Sequence, residues 1–210
     1  MCNFPNDQSL PGNIKLGAKF IGKLPWLIKI MKPLHLLSTL RTKEKATPFE
    51  LPEKHELTES KCCEIIHDSF STDLIHTKKS SEYIKWRYLN HPYFKYGILA
   101  TCDNSEEISI IYMINKKGER RELTVVDVIG SPKLIGKAFK HLIEVSKELD
   151  VDMILVINTN GYEMKSNTTK MGFFGKKKKN FVVLPINAAL KEKALSIENW
   201  SLIGGMHDSL

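Results

Sequence analysis

One acidic residue stands inside a stretch that otherwise has the composition of a buried strand. Asp127 lies between Val126 and Val128, in the apolar stretch 125–129. A carboxylate buried in such a strand needs a charged or hydrogen-bonding partner. It could act as a general base or only anchor a neighbouring backbone segment, and the sequence leaves both roles open.

Small and basic residues follow this strand, at the predicted start of a helix. The segment Lys133-Leu-Ile-Gly136-Lys137-Ala138 comes directly after the turn signal Gly130-Ser131-Pro132. The first turn of a helix has unpaired N–H groups and a partial positive charge, which favour phosphate. Gly136 would let a ligand approach the backbone closely. Alternatively, Gly136 and Ala138 are small because the helix packs on a sheet.

Other reactive side chains have less specific surroundings. Trp86, Arg87 and Tyr88 could line an acceptor pocket, or two packed rings could flank an arginine that pairs with a carboxylate. His91, which precedes a proline, could be a base or a capping or surface residue. The sequence shows no Ser-His-Asp order, metal-ligand cluster or P-loop, so no metal site is predicted.

The positive charge of the chain does not by itself choose a partner. The formal net charge is +7, and part of it lies in the lysine run 176–179. Such charge suits nucleic acid, acidic lipid or a phosphorylated cofactor equally. Lysines are common on solvated strand edges, where they discourage aggregation, so nucleic acid is not the favoured partner.

Length and composition set the class of protein. The 210 residues are 42% hydrophobic and 26% charged, which is typical of a globular chain of one or two domains. No run approaches the roughly 18 apolar residues that span a bilayer, and the N-terminus lacks a secretory signal. Cys62 and Cys63 are adjacent, a spacing that suits neither disulfides nor zinc. We therefore expect a cytoplasmic protein with reduced thiols and no membrane span.

Hydrophobic periodicity predicts the elements that position these residues. From residue 61 a helix is followed by a second helix, capped by Ser81 and ended by His91-Pro92. An amphipathic helix follows Pro132, and a polar helix ends at Met171-Gly172. Strands are predicted within 18–31, over 96–101, 108–115, 122–129 and 151–157, and as a pair over 173–186.

This order of elements resembles that of the GNAT acetyltransferases, and more narrowly that of tandem GNAT-type proteins associated with bacterial polysaccharide clusters. It implies an α+β fold with a mixed, mainly antiparallel sheet flanked by helices, preceded by the tail of a second, similar domain. The residues that carry the resemblance are Tyr83-Ile-Lys-Trp86-Arg87-Tyr88 with His91-Pro92 and Tyr96, Val126-Asp127-Val128, Gly172-Phe173, and Trp200 with Asp208.

The resemblance divides the chain into three parts. Residues 61–210 correspond to one GNAT-like domain, residues 1–37 resemble the C-terminal remnant of a first such domain, and residues 38–60 have the composition of a linker. The segments 15–23 and 170–176 are alike, although lysine, an apolar residue and glycine are a common helix ending. We expect the apolar N-terminal residues to dock as strand and helix material on the second domain or on another copy.

The resemblance also implies a cosubstrate and a reaction. In this family the pyrophosphate of acyl-CoA rests on backbone amides at the start of the helix after the fourth strand, commonly with the pattern Arg/Gln-x-x-Gly-x-Gly/Ala. The implied activity is acetyl transfer from acetyl-CoA to an amine of a small molecule or sugar derivative. The implied residues are Val126, Val128, Lys133, Gly136, Lys137 and Ala138 for acetyl-CoA, Trp86 and Arg87 for the acceptor, and Asp127 or a water as base.

One family motif is missing. The family often closes with Asn-x-x-Ala-x-x-x-Tyr-x-x-x-Gly-Phe, whose tyrosine protonates the departing thiolate. Counting back from Gly172, the positions of the motif's asparagine, alanine and tyrosine hold Gly161, Met164 and Thr168. The general acid is therefore absent from its usual place. The alternative function is therefore a catalytically decayed GNAT-fold binding or assembly module. The sequence leaves open the acceptor, the acyl chain and the oligomeric state, including a homo-oligomer.

Overall fold

A mixed sheet of eight strands forms the centre of the protein. The computed structural model describes residues 1–39, 44–64, 73–157 and 168–204. The strand order is β1-β8-β2-β7-β6-β5-β3, and β4 also pairs with β5. The strands are β1 Cys2–Asn3, β2 Lys19–Ile30, β3 Thr47–Pro48, β4 Gly97–Asp103, β5 Glu106–Lys117, β6 Arg120–Gly130, β7 Met153–Ile157 and β8 Phe174–Val183.

Helices cover both faces of this sheet. The long helix α5 packs one face with a stripe of apolar residues that includes Phe139 and Leu142, and α4 covers part of the other face with Ile84. The helices are α1 Leu10–Lys15, α2 Pro33–Thr39, α3 Glu59–Glu64, α4 Ser81–Ile84, α5 Ile135–Glu148 and α6 Lys191–Ala194. Among the described strands only β6 and β7 pair in parallel. The predicted α+β class, with a mainly antiparallel sheet flanked by helices, is confirmed.

The central strands are apolar on both sides because both faces of the sheet are covered. On β5, Ile110 packs in the cluster around α5, and its neighbour Ile111 packs in the cluster around α4. Gly118, at a φ of 61°, makes the turn between β5 and β6. The crossover through α5 then brings β7 alongside β6, as parallel strands require.

The N-terminal segment lies inside this sheet. β2 pairs on one side with β7 and on the other with β8, both antiparallel. Leu24, Leu27 and Ile28 of β2 are buried. The docking predicted for the apolar N-terminal residues is confirmed within a single chain, whereas their origin as the remnant of a first domain stays a prediction.

Three details differ from the sequence-based expectation. The side chain of Ser80, not Ser81, caps α4 by accepting the N–H of Tyr83 at 3.2 Å. Residues 173–186 contain one strand, β8, instead of a strand pair. Leu51 and Leu57, in the stretch predicted to be a linker, are each only 7% exposed. Local periodicity does not predict the burial of short segments whose apolar residues are covered only by tertiary contacts.

Two predicted helices fall largely outside the described residues. α3 ends at Glu64, and the rest of the helix predicted from residue 61 lies beyond it. Of the polar helix before Met171, only residues 168–170 are described. Gly172 has a φ of 80°, and Gly17 in the similar N-terminal segment has a φ of 92°. This left-handed geometry is what a glycine ending a helix provides.

Candidate functional site

The parallel strands β6 and β7 stop pairing before β6 ends. Their last registered pair is Val125 with Val156. β6 continues to Gly130 while paired with β5 alone among the described strands. The backbone of residues 126–130 therefore borders the start of α5, and none of the described strands pairs with its β7 side. This is the place where the resemblance to the GNAT acetyltransferases implies that acyl-CoA would bind.

A bulge at Val126 changes which way the following side chains face. Tyr112 of β5 is opposite Val125, and Ile111 is opposite Asp127, so Val126 is the extra residue. Val126 itself is 1% exposed and packs in the cluster around α4. An extra residue bends a strand and re-aims its side chains. The bulge thus directs Asp127 towards α4.

Asp127 is buried and fully engaged. Its side chain is 1% exposed, and it accepts the hydroxyl of Tyr88 at 2.9 Å and the N–H of Val128 at 2.9 Å. It also forms an ion pair with the ammonium of Lys79. A carboxylate held this way suits the anchoring role better than the role of a free base.

Lys79 joins the same network from the segment before α4. Its ammonium donates to the carbonyl oxygen of Val128 at 2.8 Å, and only 10% of its side chain is exposed. Both backbone groups of Val128 are therefore bound by side chains of the chain itself. Sequence analysis missed Lys79, because nothing in its polar neighbourhood indicates a partner 48 residues away.

Three tyrosines pack around this carboxylate. The rings of Tyr83 and Tyr96 make edge contacts with Tyr88, with centroid distances of 6.2 Å and 5.0 Å. Burial, followed by the negative charge of Asp127, raises the pKa of Tyr88 well above its ordinary value. The pKa of Tyr83 is raised for the same two reasons. Both phenols therefore stay protonated, and Tyr88 donates its hydroxyl to Asp127.

The turn between β6 and α5 depends on a close backbone approach. Gly130 has a φ of 113°, and a Cβ there would lie 2.3 Å from the carbonyl oxygen of Glu107. That same oxygen accepts the N–H of Ser131 at 2.7 Å. A 3-10 turn over Pro132–Leu134 then leads directly into α5. The approach fixes the start of α5 beside the end of β6.

The predicted phosphate-binding residues surround this helix start in different ways. Lys133 pairs with Glu106 at 2.7 Å, and Lys137 pairs with Asp103 at 3.2 Å. Both side chains are more than half exposed, so these ion pairs are weak and replaceable. Gly136 is half-buried. Ala138 is fully buried against the sheet, which is the packing role that the sequence left open for it.

The predicted acceptor residues lie along the helical segment that holds Tyr88. Trp86 is 67% exposed, with its ring centroid 6.1 Å from that of Tyr83. Burial, and after it the positive charge of Arg87, lowers the pKa of His91. The Nδ1 of His91 accepts the N–H of Phe94 at 3.0 Å, which is a capping contact. The structure therefore brings Tyr88 to Asp127 and leaves Trp86 at the surface.

The family's closing motif can be located only in part. Thr168 is 1% exposed, whereas Gly161 and Met164 lie outside the described residues. Counted back from Gly17 in the similar N-terminal segment, the corresponding positions hold Asn6, Ser9 and Asn13. There the side chain of Asn6 accepts the N–H of Ser9, and that of Asn13 donates to the carbonyl of Ser9. Those asparagines therefore stabilise the local turn and α1.

Two general properties concern the described residues only. No group of three or more His, Cys, Asp or Glu side chains within them is placed to hold a metal ion. None of their helices combines the length and apolarity that crossing a bilayer requires.

Comparisons with known proteins find a likeness among solved structures. No protein-family profile matches the chain, and no curated protein matches it significantly. A solved structure of a GCN5-related N-acetyltransferase from Anabaena variabilis superposes with a TM-score of 0.49 and 9% identity, over 86% of this chain and 44% of that chain. This chain thus spans less than half the length of that protein.

Proposed function

We propose that this chain binds an acyl-CoA where β6, β7 and α5 meet, and transfers an acetyl group from it to an amine of a small molecule or sugar derivative. The observation that supports this most is the end of the β6–β7 pairing at Val125 and Val156, while β6 runs on to Gly130. The end of this pairing places the backbone of β6 beside the start of α5.

The residues at this junction fit a polyphosphate. α5 has 14 residues, so the helix dipole places a partial positive charge at its N-terminus. Lys133 and Lys137 can exchange their exposed carboxylate partners for phosphate, since surface pairs contribute about 0–1 kcal/mol. Gly136 presents backbone without a side chain near the first turn. Bound acyl-CoA would supply an activated thioester carbonyl.

The strand residues would position that carbonyl. Val126 forms the bulge, and Val128 is held by Lys79 and Asp127. We assign Asp127 as a positioning residue, because both of its oxygens are used within the chain. A water would then take the proton of the attacking amine. Trp86 and Arg87, nearer the surface, are the proposed acceptor contacts.

Calorimetric titration with acetyl-CoA, coupled to a thiol-release assay over a panel of amines, tests the proposal. We expect saturable binding and CoA release that depends on the amine. Absence of binding at millimolar acetyl-CoA would reject the assignment of this junction.

A non-catalytic binding or assembly module is the second candidate. It is favoured by the engagement of Asp127 and by Thr168 at the position where the family's tyrosine would stand. This candidate predicts no thioester turnover with any amine, while a ligand or partner still raises the melting temperature. Turnover above the uncatalysed rate with any amine would exclude it.

A further inference from the structure

A second concave site lies on the face of the sheet that α4 covers only in part. A cavity of about 510 Å³ extends across β8, β2, β7, β6 and β5, beneath α2. This volume is within the range of small-molecule sites, roughly 300–1,000 Å³. Because it crosses five strands that are each about 4.8 Å apart, the cavity suits an elongated ligand.

The walls of this cavity are mainly apolar. Ile28 and Ile30 of β2, Leu155 of β7 and Phe174 of β8 line the floor, and Leu36 of α2 lines the opposite side. Ile30 and Phe174 are 37% and 44% exposed. An apolar body bound here would remove these side chains from water, which is favourable.

The charges at the cavity are not balanced. Arg120 is paired with Glu122 at 2.6 Å. Lys179 also lines the cavity, with its ammonium 5.6 Å from the ring centroid of Trp26. No ion pair found in the described part of the chain includes Lys179. Two cations against one carboxylate leave a net positive charge at the β8 end, which favours an anionic ligand.

This cavity is separate from the proposed acyl-CoA junction. Glu122 and Met153, which line it, form the first registered pair of β6 and β7. The acyl-CoA junction begins after the last pair, at the other end of the same two strands. In addition, α5 packs against the opposite face, with Leu123 and Val125. A ligand in the cavity would not contact the start of α5.

We infer that the cavity binds a medium-chain carboxylate, with its alkyl chain across β2 and β7 and its carboxylate beside Lys179. The elongated apolar floor selects the chain, and the unbalanced ammonium selects the acid group. Loss of a charge-assisted contact of this kind weakens binding about tenfold or more.

Calorimetric titration with decanoate tests this inference on the full chain. We expect saturable one-to-one binding below 1 mM ligand, on the order of ordinary small-ligand affinities. Lys179→Met should weaken binding about tenfold, and Lys179→Arg should retain most of it. Lys23→Met is the matched control, because Lys23 is an exposed residue of the neighbouring strand β2 that does not line the cavity. This variant should bind decanoate as the wild type does.

A second variant addresses the cavity volume without disturbing the core. Ala46 lines the cavity from an exposed position, so Ala46→Trp can fill it while the fold is kept, as a melting curve would show. It should abolish decanoate binding and leave acetyl-CoA binding unchanged. Absence of saturable decanoate binding to the wild type would overturn the inference, and so would wild-type affinity in folded Lys179→Met or in folded Ala46→Trp.

Discussion

The buried pair of Lys79 and Asp127 is the strongest electrostatic feature of the candidate site. Removing one partner of a buried ion pair leaves an uncompensated charge and typically costs about 3–5 kcal/mol. We therefore expect Asp127→Asn to lower the free energy of unfolding by that amount, measured by urea denaturation. The double variant with Lys79→Met should recover much of the loss.

The same variants separate positioning from catalysis. If Asp127 only holds Val128 and the end of β6, the double variant should keep part of any acyltransferase activity, with an unchanged pH profile. A decrease of less than about 1 kcal/mol in the free energy of unfolding of Asp127→Asn would contradict the anchoring role. Complete loss of turnover in a stable double variant, with intact acetyl-CoA binding, would make Asp127 the base instead.

His91 gives the protein a pH-dependent contact. Burial, and then the positive charge of Arg87, lowers the pKa of His91 below its ordinary value of 6.5. The unfolded chain therefore takes up the proton first as the pH falls. Protonation of Nδ1 would also remove the acceptor for the N–H groups of Tyr93 and Phe94. The stabilisation by neutral His91 is present above pH 6.5 and is lost as the pH falls below it.

Denaturation of wild type and His91→Asn at pH 7.5 and 5.5 measures this contribution. Asparagine keeps an acceptor oxygen near the position of Nδ1 but does not titrate. We expect the wild type to lose more stability than the variant between the two pH values. Equal losses would show that His91 does not contribute.

The sequence indicates a site residue that conflicts with its local surroundings, such as Asp127, but not the distant residue that pairs with it in the folded chain. Asp127 stands out because a carboxylate between two valines conflicts with its local surroundings. Lys79 does not stand out, since lysine is ordinary in a polar stretch and its contact with Asp127 forms only in the folded chain. Trp86 and Tyr88 are close in sequence, yet only Tyr88 is buried, because the turn of the helical segment points them in different directions.

At the scale of elements, Gly130 controls how β6 passes into α5. Alanine there would meet the carbonyl of Glu107 at 2.3 Å and would adopt a φ of 113°. Backbone strain of this kind costs about 1–3 kcal/mol, and overpacking adds to it. We expect Gly130→Ala to lower the free energy of unfolding by about 2 kcal/mol or more.

Gly12→Ala is the matched control for that substitution. Gly12 lies in α1, and a Cβ there would meet nothing within 4 Å. Alanine favours the helix by about 1 kcal/mol, so this variant should be as stable as the wild type or slightly more stable. Similar stability in the two variants would show that the close approach at Gly130 is not required.

The helices and strands are largely predictable from the sequence, whereas the bulge in β6 and the point where its pairing with β7 ends are not. The strands 108–115 and 122–129 and the helix after Pro132 follow from periodicity, and they agree with β5, β6 and α5. The bulge at Val126 leaves no signal, because all of its neighbours except Asp127 are apolar. The end of the β6–β7 pairing depends on tertiary geometry and could not be derived from the chain alone.

At the scale of the whole molecule, the N-terminal segment completes the sheet. Among the described strands, β8 pairs only with β1 and β2, and both lie within residues 1–30. Deleting these residues would therefore remove every described strand partner of β8. We expect the shortened chain to lose cooperative unfolding, as measured by circular dichroism. A shortened chain with the wild-type melting temperature would contradict the role of β2.

The central claim is that the start of α5 binds acyl-CoA. Gly136→Asp places a carboxylate where phosphates would approach, and a carboxylate near a helix start is otherwise compatible with the helix dipole. Gly12→Asp introduces the same group in α1 and serves as the control.

Calorimetric titration of the wild type and both variants with acetyl-CoA, each with its melting temperature, is the most direct measurement. We expect saturable binding by the wild type and by Gly12→Asp. A folded Gly136→Asp protein should bind at least about tenfold more weakly, a change of about 1.4 kcal/mol. Unchanged affinity in folded Gly136→Asp, or no binding by the wild type, would contradict the central claim.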